Sequence, residues 1–339
     1  MRDLVNPRLS SSRARGAAPM RRPGGLARSF ALGAIMALAG LGISAVGSPA
    51  GAAVQPALEC GTLPTGDVAL SADLTCESGF HFGSEATPVS IDLAGHTLTV
   101  TGTNASCSAP GPCGAIAGAT QVRNGTVNGA LSDIGSTSGV TVNGDVLLAL
   151  GQSGVRGPAT IRGSVVTGAV RAWGADVTID ANIIGGGVAA VDTNTAVRNL
   201  TVSRNWILHS PRAGVSVVPV SGFFSGEITG SIDRNLIWGS NGPGIELGGF
   251  LGNIGSLRID ANQLILNRGD GFVAGGPDVG PPTVGGPVAV SNNRALLNRG
   301  NGIDAGWIAG RSGTGIVDGG GNQAVWNSSR PACIGVTCR

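Results

Sequence analysis

The chain has 339 residues, with 22 Arg and Lys against 20 Asp and Glu, a formal net charge of +2, three His, six Cys and 59 Gly. Lysine and tyrosine are missing altogether, which removes both from the catalytic groups available. Seven arginines and one acid fall in residues 1–52, so the remainder holds 15 Arg against 19 Asp plus Glu, a net of −4, and nothing in that balance argues for phosphate-backbone binding; no nucleic-acid partner is expected.

Residues 1–52 have the order of a signal peptide. Arg21, Arg22 and Arg28 precede an uncharged stretch from Phe30 to Val46, and Ala50-x-Ala52 follows as a small-residue processing site. Met20 is an alternative start. This predicts a secreted or cell-surface protein with no membrane association after cleavage. Residues 53–89 read as an N-terminal cap segment with a disulfide, 90–330 as the body of the fold, and 331–339 as a C-terminal disulfide tail. The cysteines fall as Cys60 with Cys76, Cys107 with Cys113, and Cys333 with Cys338. Sequence alone allows about 15 connectivities, and the close spacing favours local bridges. Zinc is disfavoured, since no CxxC and no neighbouring His accompanies them.

The body repeats one phrase: "TVSRNWILHSPRAGVSV" from Thr201, "SIDRNLIWGSNGPGIEL" from Ser231, "RIDANQLILNRGDGFV" from Arg258, "AVSNNRALLNRGNGIDA" from Ala289 and the decayed "GGGNQAVWNSS" from Gly319. Gly125, Gly144, Gly163 and Asn182 follow at intervals of 19, and Asn205, Asn235, Asn262, Asn293 and Asn322 continue at 23, 30, 27, 31 and 29. Each unit offers an alternating run before the asparagine, an aliphatic run after it and a later G-[aliphatic]-x-[aliphatic] run. Three short strands per repeat predict a parallel β-helix, an all-β solenoid in which each turn buries its apolar face against the next.

The I-x-x-N-x-[aliphatic] phrase followed by G-[IV]-x-[IVL] resembles the repeats of right-handed parallel β-helix proteins of the pectate-lyase-like superfamily, over roughly Ser90 to Arg330. "LSADLTC…VSIDLAGHTLTV" resembles the opening segment of their secreted, repeat-only members. The resemblance implies a single-stranded right-handed parallel β-helix, an internal asparagine ladder at the bend between the second and third strands, and action on acidic polysaccharides. In the ladder, Asn is expected to take the left-handed backbone of the bend, with Gly doing so in the early turns. The NTD, DD, GHG and RIK motifs of polygalacturonase-type hydrolases do not occur here, nor does an epimerase-type DPHE stretch.

Strand alternation turns Ser216, Glu246, Val273 and Asp304 outward in one column. Glu246 and Asp304 are two turns apart, about 9–10 Å, near the upper end of the spacing between the acid and base of an inverting glycosidase. They are the candidate catalytic pair. Arg212, Arg268 and Arg299 in the preceding turn suit bidentate binding of carboxylated sugars. His209 and Trp307 complete the candidate substrate contacts, with Asp270 nearby. Insertions after the third strand carry Phe223, Phe224, Phe250 and Trp307, apolar residues open to three readings: loop self-packing, ligand contact or an oligomer interface. Asp180, Ser203, Asp233 and Asp260 recur two places before the bend, where they can bond turn amides or pair with Arg204, Arg234 and Arg258.

No metal ligand set is assigned, and no cofactor is required. "DGGGN" and "GDG" leave calcium open without the repetition a Gly-rich calcium motif needs. "RGNGIDAG" occupies an ordinary repeat slot with no predicted helix behind it, so nucleotide binding is not expected. The functional expectation is a secreted β-helix protein that contacts polysaccharide, its activity open between hydrolase, lyase and no catalysis. The alternative is a non-catalytic surface or structural scaffold, oligomeric through its apolar inserts.

Overall fold

The structure is a computed structural model that describes residues 56–82, 89–102, 114–148, 158–172, 176–191, 197–218, 227–248, 253–275, 283–284, 286–306 and 315–339. It is an all-β right-handed parallel β-helix. Its strands form one 21-stranded and one 11-stranded sheet. A full turn contributes three strands, such as Asn199–Ser203, Trp206–Leu208 and Val215–Val218. The first two enter the larger sheet and the third enters the smaller, each pairing in parallel with its counterpart one turn on.

The alternation anticipated from sequence decides which side chains fill the coil. Ile232, Ile237, Ile245 and Leu247 of one turn are fully buried, beneath Leu200, Val202, Ile207, Val215 and Val217 of the turn before. Burying four such side chains per turn is worth roughly 6–12 kcal/mol before chain entropy is charged against it. β-branched residues dominate because their single favoured rotamer suits a pleated surface.

A ladder of buried amides holds the turns in register. Asn182, Asn205, Asn235, Asn262, Asn293 and Asn322 are all buried. From Asn205 on, each side-chain oxygen accepts both the backbone N–H and the side-chain amide of the asparagine one turn earlier, as Asn262 Oδ1 does from Asn235 at 3.0 Å in each case. The ladder sits between the first and second strands of each turn, not between the second and third as the resemblance implied.

Two further expectations about this bend need correction. The left-handed residue is the one before the asparagine: Ala181, Arg204, Arg234, Ala261 and Asn292 have φ of 54–56°. The asparagine must aim its amide into the coil while its own N–H reaches the next turn, so the solvent-facing residue beside it takes the reversal. The 19-residue spacing of the early glycines is also not a structural period. Pairing of Ile161 with Ile179 and of Val165 with Ile183 puts Ser164, not Gly163, level with Asn182. Ser164 N–H donates to Asn182 Oδ1 at 2.9 Å. Above it the column continues through Val140 and Gly125, bypassing Gly144.

A second ladder, not anticipated from the repeats, lies at the next bend. Asn267 donates through its backbone N–H and its side chain to Asn298 Oδ1, both at 3.0 Å. Asn298 does the same to Asn327 at 2.9 and 3.0 Å. This ladder explains the glycines that open the third strands at Ile245, Phe272 and Ile303. A Cβ on Gly271 would meet Gly302 O at 2.4 Å and Asn298 Nδ2 at 3.0 Å, and one on Gly244 would meet Asn267 Nδ2 at 2.9 Å. The glycine is there for close approach rather than for an unusual φ.

Both ends are closed. Leu58, 5% exposed, caps the first turn beside the Cys60–Cys76 disulfide. At the other end Cys333–Ile334 pairs with Ile303–Asp304, the Cys333–Cys338 disulfide folds the tail back, and Asn322 bridges to Cys338. Cys107 and Cys113 lie outside the described residues.

Candidate functional site

Register places Ser216, Glu246, Val273, Asp304 and Ile334 in one column on the smaller sheet, as alternation required. Glu246 and Asp304 therefore flank Val273, which is 8% exposed. Ser216 donates its hydroxyl to Glu246 Oε2 at 3.3 Å. Asp304 is held by two donors, Asn301 Nδ2 at 3.1 Å and Gly306 N–H at 3.0 Å.

The Asp304 charge also acts on a second carboxylate, Asp270. Asp270 lies in the bend before Phe272–Ala274 and accepts the backbone N–H of Asn301 at 2.5 Å. Asn301 thus bridges the two acids, its main chain bonded to one and its side chain to the other. Burial pushes the Asp270 carboxyl above the usual carboxylate range. The Asn301 N–H opposes that shift and the Asp304 charge adds to it. A carboxyl with a raised pKa beside a fixed acceptor can give a hydrogen bond to a sugar hydroxyl or a leaving oxygen when protonated and take one when ionised. The trace in sequence was the contrast between "NRGDG" and "NRGNG", the same slot filled by Asp270 in one turn and Asn301 in the next.

The remaining predicted contacts divide. Arg268 and Arg299 occupy one column, donating their N–H groups to Ser240 O and Asn267 O, and both side chains are exposed. Arg212 stands one position further on, level with Gly242, whose N–H it accepts at 3.1 Å. His209 is not part of the acidic group. It takes the left-handed position before the second ladder, with φ of 51°, and its ring rests on Trp238 at 5.0 Å, tilted by 50°. Trp307, Phe223, Phe224 and Phe250 lie outside the described residues.

The acids before the first bend are structural. Burial of Asp180 opposes its ionisation, and the Arg204 guanidinium, the Ser203 hydroxyl and Arg162 more than offset it, leaving the carboxyl below its usual range. Arg258 bridges Asp233 at 3.6 Å and Asp260 at 3.1 Å. Among the described residues, no group of three or more His, Cys, Asp and Glu could hold a metal ion, and no helix is long and apolar enough to cross a membrane. Comparison with family models, curated proteins and solved structures returns no match.

Proposed function

We propose that this chain is an exported protein that binds a polysaccharide along the smaller sheet, with Asp270, Asn301 and Asp304 as the polar centre and Arg268 and Arg299 at its border. The observation that carries the reading is the bridged pair, in which Asn301 joins Asp270 to Asp304 and burial raises the Asp270 pKa. Export is supported by the leader-like order of residues 1–52 and by disulfides at both ends of the coil, which suit an oxidising compartment. The three-strand turn and its asparagine ladder support kinship with the pectate-lyase-like superfamily. The same pair supplies the two groups that glycosidic hydrolysis needs, a proton donor and an acceptor.

Affinity electrophoresis through gels containing neutral or acidic polysaccharides tests the binding. Retardation by at least one polysaccharide, weakened about tenfold in Asp304→Asn, is expected, on the scale of one or two charge-assisted hydrogen bonds. Migration unchanged in every gel would end the proposal. Release of reducing ends by the native chain and not by Asp270→Asn would assign cleavage to the pair.

A further inference from the structure

The second strands of successive turns present an outer face that meets the proposed polysaccharide surface only along the Arg268 and Arg299 border. Of the seven large apolar side chains left exposed among the described residues, five stand here: Val165, Trp206, Leu266, Leu297 and Trp326. Val165 and Trp206 share one column through Ile183. Pairing of Ile265 with Leu296 and of Leu296 with Val325 puts Leu266, Leu297 and Trp326 level with one another in a second column. Their exposures are 47, 45 and 78%.

This second column goes against two local preferences at once. Leu266, Leu297 and Trp326 all have left-handed backbones, with φ of 55–56°. That conformation costs a non-glycine residue about 1–2 kcal/mol. Gly239 fills the same column two turns before Leu297 with φ of 70°, so the bend itself does not demand a side chain. Glycine or asparagine would relieve the backbone and remove apolar surface from water. Folding does not account for leucine and tryptophan at these positions.

Charge narrows the partner. Arg294 lies within the face, Arg268 and Arg299 run along one border, and all three are exposed. No carboxylate occupies the columns between the first ladder and these arginines in the turns of Trp206–Leu208 to Gln323–Val325. The leucine column and its tryptophan end span three turns, about 10 Å, too little for a stable protein interface. Aliphatic side chains outnumber aromatic ones, which favours acyl chains over sugar rings. Leucine with tryptophan at the edge and arginine beside them is the chemistry of an anionic membrane surface, where each arginine adds about 1 kcal/mol.

We infer that this face docks the protein peripherally on an anionic lipid surface, with Leu266, Leu297 and Trp326 entering the headgroup region. Co-sedimentation with vesicles of equal parts phosphatidylglycerol and phosphatidylcholine tests it, with pure phosphatidylcholine vesicles and an acidic polysaccharide competitor as comparison arms. The expected result is binding to the anionic vesicles that falls with salt, a blue shift of tryptophan emission lost in Trp326→Ser, and at least tenfold weaker binding in Leu266→Ser/Leu297→Ser. Arg294→Gln should weaken the preference for anionic over neutral vesicles. All these side chains are exposed, so unchanged circular dichroism will separate lost docking from lost folding. The inference is overturned if the native chain stays in the supernatant, if the leucine variant binds as the native chain does, or if an acidic polysaccharide displaces the vesicles by occupying this face. None of these results bears on the Asp304→Asn comparison, which judges the polysaccharide reading separately.

Discussion

Replacing Asn262 by alanine probes the first ladder at its middle. The Asn262 side chain makes four bonds: it accepts Asn235 N–H and Asn235 Nδ2 at 3.0 Å each, and donates to Ile232 O at 2.8 Å and Asn293 Oδ1 at 3.0 Å. After truncation Asn235 Nδ2 keeps Val202 O, and Asn293 Oδ1 keeps the backbone N–H of residue 262. The Asn235 N–H and the Ile232 carbonyl are then left short of partners in a dry interior. At about 1–3 kcal/mol for each stranded group, with a further contribution from the lost packing, Asn262→Ala should destabilise the protein by about 3–5 kcal/mol. That corresponds to a fall in Tm on the order of 10 °C. The exposed neighbour substitution Gln263→Ala should stay within about 0.5 kcal/mol. Urea unfolding followed by circular dichroism measures both. A loss below about 1 kcal/mol for Asn262→Ala would refute the ladder as a source of stability.

Three further outcomes follow from the charges and the disulfides. Asp180 has a folded pKa below its unfolded value of about 3.9, so its contribution is complete above that value and is lost as pH falls through the folded one. Asp180→Asn should accordingly be less stable than the native chain at neutral pH, with the gap closing in acid denaturation. Asp270 has the opposite sign: its raised folded pKa makes the native chain lose stability as pH rises from about 3.9 through the folded value. Asp270→Asn should therefore be more stable than the native chain at neutral pH and equal to it in acid, as expected of a residue kept for function. By loop length, removing Cys60–Cys76, 16 residues apart, should cost about 3 kcal/mol, and removing Cys333–Cys338, 5 apart, about 2 kcal/mol. Thermal unfolding of the paired Cys→Ser variants checks those values.

The later turns could be read from the sequence because one physical demand recurs in each of them. A buried amide that bonds its own counterpart above and below tolerates no substitute, so Asn205 to Asn322 stand out at a roughly constant interval. In the early turns the same column holds Ser164, Val140 and Gly125, which make no such ladder, and the evenly spaced glycines were a coincidence of loop lengths. The second ladder was written in the quoted repeats as Asn267, Asn298 and Asn327. It was obscured because Ser210 and Ser240 occupy the same column in earlier turns. The outward column of Glu246 and Asp304 followed from alternation alone. The partnership of Asp270 with Asp304 did not, because it depends on a bend residue reaching across one turn to Asn301. The apolar face was hidden for a similar reason: Leu266, Leu297 and Trp326 are 31 and 29 residues apart and meet only once the coil is wound.

The most direct test of the in-register coil is amide hydrogen exchange at the ladder asparagines themselves. Their N–H groups donate to side-chain oxygens of the next turn, as Asn205 does to Asn235 and Asn235 to Asn262 at 3.0 Å. They should exchange as slowly as the strand amides of Val202 and Ile232, and Asn262→Ala should release Asn235 ahead of its neighbours. Exchange of the native ladder amides at the rate of exposed turns would show that the asparagines do not meet along the axis, and the columns that define both proposed surfaces would fall with them.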